Sequence, residues 1–106
     1  PEMLHAANNN KPYTCFVNAN SQLPFMVMHD AIEAIIQLMS IEKNTLNHHI
    51  YNISAFNPTV GEFYKKIILY YDNFNISYAI NDRRQEMVDS WPSSVDCSKA
   101  RYDCDF

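Results

Sequence analysis

The sequence predicts a small α+β domain with few strands, on three observations. Two segments repeat large apolar residues at helical spacing, and three short β-prone runs are bounded by turn formers. The third is length: 106 residues fit one small domain, which buries roughly 60–68% of its unfolded surface. The expected order, taking residues 1–106 as one domain, is helix end, strand, helix, strand, helix, strand, helix.

Met3, Leu4, Ala6 and Ala7 read as the last turns of a helix, stopped by Asn8-Asn9-Asn10 and Pro12. Tyr13-Thr14-Cys15-Phe16-Val17 reads as a strand, and residues 23–28 as an extended apolar segment that Pro24 keeps from helical geometry. Asp30 is the expected N-cap of a helix in which Ile32, Ile35, Ile36 and Met39 form one stripe. His49 to Ser54 alternates like a strand, with Tyr51 and Ile53 on one face. Thr59-Val60-Gly61-Glu62 is a capping box, after which Val60, Phe63, Tyr64, Ile67 and Tyr71 repeat the helical spacing. Both stripes are expected to pack in the core. Ile76 to Ile80 is the third strand, and Asp96 or Ser98 caps a short helix through Lys99-Ala100-Arg101.

Composition removes several function classes. A net charge of −4 with eight scattered Lys and Arg residues argues against a nucleic-acid partner. No apolar run approaches the ~18–20 residues of a membrane span. Three cysteines without a CxxC pair favour a reducing compartment with buried thiols, either cytoplasm or, in a eukaryote, mitochondrial matrix. The single glycine leaves no phosphate cradle, so no dinucleotide fold is carried by these residues.

Complete catalytic motifs are missing too. There is no GxSxG, HExxH or P-loop, and none of the seven tyrosines has a lysine four residues on. His48-His49 reads as a pair of polar residues facing solvent, because adjacent strand residues point to opposite faces and share no metal. Asp103-Cys104-Asp105 reads as a frayed polar terminus rather than a cation site. No catalytic or metal-ligating residue is assigned.

One segment carries usable chemistry. Arg83-Arg84-Gln85 and Asp89-Ser90-Trp91-Pro92 gather guanidinium, carboxylate, hydroxyl and the lone tryptophan within ten residues. Arginine can clamp a carboxylate through two parallel hydrogen bonds, and tryptophan can supply a flat wall that sheds water. The same residues also suit a packing role: a loop pinned by Trp91 in a core slot, with Arg84 paired to Asp89.

Taken together, these segments resemble L-threonine 3-dehydrogenases of the extended short-chain dehydrogenase type. Residues 23–32 are similar to their "LPMMYMxDAI" stretch, and Tyr51-Asn52-Ile53-Ser54-Ala55 with Phe56-Asn57-Pro58-Thr59 to "YNxxAxxFTPxE". Arg84-Gln85 with Asp89-Ser90-Trp91-Pro92 resembles "RQxxADSWP", and residues 96–101 resemble "DDSxAR". Cys97 departs from the second Asp of that motif, and Asp103-Cys104-Asp105-Phe106 from the family's "DWGW" ending. The tail and the helix start are shared with nucleotide-sugar epimerases and dehydratases.

The resemblance implies a C-terminal substrate-binding domain that starts within a helix and lacks the family's Rossmann domain. It implies NAD as the longer enzyme's cofactor, bound by none of these residues, and L-threonine as its small-molecule substrate. In the family, a tyrosinate takes the substrate hydroxyl proton while hydride passes to NAD, giving 2-amino-3-oxobutyrate. Arg84, Trp91 and Asp89 are the substrate-binding candidates. An isolated domain is expected to be inactive and prone to self-association through an apolar patch around residues 23–28. Two alternatives stay open: the same domain from a nucleotide-sugar epimerase or dehydratase, and a non-catalytic binding or dimerisation module.

Overall fold

A computed structural model describes all 106 residues. The chain is α+β, with five α-helices, a 3-10 turn at Lys43–Thr45 and a two-stranded sheet. It divides into two compact units, Pro1–Leu23 with Pro58–Ser93 and Pro24–Asn57 with Ser94–Phe106.

The first unit holds both strands. β1 (Tyr13–Cys15) and β2 (Ile76–Tyr78) pair in parallel, with Tyr13 opposite Ile76 and Cys15 opposite Tyr78. Against them lie α1 (Glu2–Asn8) and α3 (Val60–Ile67), whose buried Met3, Ala7 and Ile67 form one apolar cluster with Phe74. The capping box starts α3 as the sequence predicts: Thr59 Oγ1 accepts from the Glu62 amide at 3.1 Å, and Glu62 Oε2 from the Thr59 amide at 3.2 Å. Beyond Ile67 the chain turns, and Tyr64 closes the turn by donating its hydroxyl to the Phe74 carbonyl. Tyr13 donates to Glu2, and burial together with that bond pushes its phenol up to about 12.

Residues 81–92 are not a loop. Asp82–Asp89 is a helix, α4, capped by the Asn81 side chain, which accepts from the Arg84 amide at 3.1 Å. Its one buried apolar side chain, Val88, packs with Cys15 and Val17. A single anchor leaves no stripe, so periodicity misses the helix; the Asn81 cap with Asp82 in the first turn is the signal that marks it.

The second unit holds α2 (Met28–Ser40) and α5 (Ser98–Cys104). α2 begins two residues before Asp30, which lies in the first turn, where a carboxylate complements the helix dipole. Its stripe is not core: Ile32, Ile35, Ile36 and Met39 are all exposed, and only Ala34 on this helix is buried. Phe25 and Phe56 form an isolated antiparallel bridge and stack with ring centroids 6.2 Å apart.

Residues 49–54 form no strand. Tyr51 instead donates its hydroxyl to Asp103 at 2.7 Å. The chain end is ordered rather than frayed, with α5 running to Cys104 and its N-terminal Ser98 amide bonded to Asp96. All three cysteines are free and buried.

Candidate functional site

Two places gather chemistry, one in each unit. On α4, Arg84 and Asp89 form no ion pair. The Arg84 guanidinium lies over the Phe16 ring, 4.6 Å from its centroid. Asp89 instead accepts from Gln85 Nε2 at 2.7 Å. Trp91 follows the helix with its amide bonded to the Val88 carbonyl, and at 51% exposure it fills no core slot. The packing role expected for the segment therefore does not hold for these side chains.

Gln85 does the anchoring in their place. It accepts from the Asn18 amide at 2.8 Å and donates to Ser21 Oγ at 3.0 Å, besides its bond to Asp89. This amide ties α4 to the 18–21 turn and fixes the Asp89 carboxylate one helical turn on. Arg84 is left with a free guanidinium resting on an aromatic face. A contact of that kind is worth only about 0.5–1 kcal/mol when exposed, less than the roughly 1.5–3 kcal/mol of a charge-assisted hydrogen bond.

The second place is Asp103, whose side chain is 1% exposed. It accepts from Tyr51, from the Asn47 amide and Nδ2, and it meets His48 Nδ1 at 3.0 Å. These bonds, the Tyr51 hydroxyl first, hold its carboxyl well below the usual carboxylate range. Burial and the same bond push the Tyr51 phenol up. His48, expected at the surface as a polar residue, is half-buried and meets the buried Asp103; its ring also meets Tyr51 edge-on at 5.8 Å. The signal lay across 55 residues of sequence, beyond the reach of any spacing rule. No group of three acidic, histidine or cysteine side chains can hold a metal ion.

The Gly61 amide is already given to the Ala19 carbonyl at 3.0 Å, and a Cβ there would meet that oxygen at 3.4 Å. The glycine serves a close approach between two segments rather than a phosphate cradle. No helix is long and apolar enough to cross a membrane.

No family model matches the chain. An uncharacterized epimerase/dehydratase of Staphylococcus aureus is 40% identical over 99% of the chain, which is 33% of that protein. A GalE-like L-threonine dehydrogenase of Cupriavidus necator superposes with a TM-score of 0.90 at 36% identity, covering 97% of this chain and 34% of its own. The chain is homologous to one segment of the extended short-chain dehydrogenases. A monomeric L-threonine 3-dehydrogenase from a metagenome agrees, with a TM-score of 0.88 at 38% identity over 97% of the chain. The homologous segment spans about a third of each of these proteins. The "RQ" and "DSWP" pieces of the family resemblance fall on α4 and directly after it.

Proposed function

We propose that this chain is the substrate-binding part of an NAD-dependent L-threonine 3-dehydrogenase, inactive by itself. The observation that carries the reading is the Arg84 guanidinium on α4, which enters no ion pair, together with the exposed Trp91 just past the end of the same helix. A small amino acid offers little area, so its affinity must come from charge pairing and water exclusion. Arg84 takes the substrate carboxylate, Trp91 walls off water, and Asp89, held by Gln85, is the acceptor for a donor group on the substrate. NAD and the reacting groups belong to the portion of the enzyme outside this chain. The monomeric relative supports completion of the enzyme within one polypeptide, without a second copy.

The test grafts this chain in place of the matching third of the Cupriavidus necator enzyme and assays L-threonine and UDP-sugars. Arg84→Ala is expected to lower kcat/KM for threonine about 10- to 150-fold, the loss of one charge-assisted contact. Unchanged threonine kinetics in both Arg84→Ala and Trp91→Ala would overturn the substrate-binding role of the segment.

A second reading, a nucleotide-sugar epimerase or dehydratase, is favoured by the 40% identity to the Staphylococcus aureus protein. Arg83 and Arg84, neither of them ion-paired, also suit a diphosphate. Turnover of a UDP-sugar but not of threonine would select it.

A further inference from the structure

We propose that the cavity between the end of α1 and the turn after α3 binds a free amino acid with an aromatic or large apolar side chain. It shares no lining residue with the α4 site, so it stands whether or not Arg84, Asp89 and Trp91 meet substrate.

The sequence builds both walls by local rules. α1 runs out into Asn8-Asn9-Asn10, and Asn10 takes the left-handed backbone, φ 55°, that asparagine tolerates better than most residues. The Asn10 amide then bonds the Ala7 carbonyl at 3.1 Å, and the Lys11 amide the Ala6 carbonyl at 2.9 Å. That closure satisfies the helix end and fixes the backbone that carries Lys11. On the other wall, the amides of Tyr70 and Tyr71 both bond the Ile67 carbonyl at 3.0 Å, and the Phe74 amide bonds the Tyr71 carbonyl at 3.0 Å. Two bonds tie the walls together. The Tyr71 hydroxyl donates to Asn8 Oδ1 at 3.2 Å, and the Tyr13 amide donates to the Asn75 carbonyl at 3.1 Å.

The space between the walls is about 380 Å³, the size of a pocket for a small molecule. Its floor is apolar, because Ala7 and Phe74 are buried members of the first unit's core. Its rim is polar and open. Lys11 and Asp72 both line it, carry opposite charges and enter no ion pair, with each other or elsewhere. Tyr70 stands on the same rim with 83% of its surface exposed.

The charges select the ligand. A phosphate is attracted by Lys11 and repelled by Asp72, and a bare cation meets the reverse. A zwitterion satisfies both, its carboxylate taking the Lys11 ammonium and its own ammonium taking the Asp72 carboxylate. An aromatic or large apolar side chain then covers the Phe74 floor and lies against the Tyr70 ring, which removes apolar surface from water. A small polar amino acid leaves that floor wet.

The test is an NMR titration of the chain with L-phenylalanine, reading the backbone amides. Shifts are expected at Asn10, Lys11 and residues 70–75, with a Kd of about 1–10 mM, which is what a dozen or so heavy atoms support. Lys11→Ala and Asp72→Ala should each weaken binding roughly threefold to tenfold. Both side chains are exposed, so neither change disturbs the core. 3-Phenylpropionate, which lacks the ammonium, and L-phenylalaninamide, which lacks the carboxylate, should each lose a similar factor. Arg84→Ala should leave the phenylalanine response as it was. No shift at these amides up to about 50 mM phenylalanine overturns the proposal. Equal binding of 3-phenylpropionate, or unchanged binding in both Lys11→Ala and Asp72→Ala, also overturns it and leaves an apolar contact only. Shifts that vanish with Arg84→Ala and persist with Lys11→Ala assign the amino acid to α4 and overturn it as well.

Discussion

α3 and α2 carry apolar stripes of the same spacing and meet opposite fates. On α3, Ile67 is buried and Val60, Phe63 and Tyr64 pack against the cluster it forms with Met3, Ala7 and Phe74. On α2, four residues at the same spacing face outward. The units that hold them differ in the same sense. The first unit rests on two apolar clusters, whereas the buried residues of the second are small, namely Ala34, Cys97, Ala100 and Cys104. What the second has in addition is the set of polar bonds converging on Asp103. A stripe states that a face is apolar, and it leaves open what will cover it.

The sharpest test of that contrast is truncation at matched positions. Ile67→Ala should cost about 2–5 kcal/mol by urea unfolding, because it empties a packed site. Ile36→Ala should change stability by about 0.5 kcal/mol or less in the isolated chain. Equal costs would break the comparison.

Gln85→Ala comes next, at about 1–3 kcal/mol, since it strips the Asn18 amide of its acceptor, removes one of the two bonds at Ser21 Oγ and releases Asp89. If denaturant unfolding shows no loss, α4 is held by Val88 alone. Thr59→Ala should cost about 1 kcal/mol through the lost cap, with Thr59→Gly costing less than Thr59→Ala.

Acid should separate the two units. The Asp103 carboxyl is depressed in the fold, so its bonds add stability that is complete above the unfolded value of about 3.9. That contribution is lost as pH falls below it, because the unfolded chain then takes up the proton first. Amide exchange at Asn47 and His48 is expected to quicken below about pH 4, ahead of the amides of β1 and β2. Simultaneous loosening of both units would remove the polar cluster as the distinguishing support. Asp103→Asn should abolish this difference in acid sensitivity.

Much of the fold was legible because its signals are local. The Thr59–Glu62 capping box, β1 and β2, α3 and the tail helix each depend on residues within a turn or a short run. Where the sequence misled, the missing information was in most cases a distant partner. Residues 49–54 alternate as a strand does, yet Tyr51 is claimed by Asp103 across 52 residues. Arg84 and Asp89 are spaced for each other, yet Phe16 takes the one and Gln85 the other. α4 carries one buried apolar side chain and forms because an asparagine cap, an amide and Val88 hold it to the rest of its unit. The sequence by itself determined the helix starts, the apolar faces and the residue types available to a site. Only tertiary structure decided which faces are covered and which charges stay free, because burial and pairing belong to segments that meet far apart in the chain.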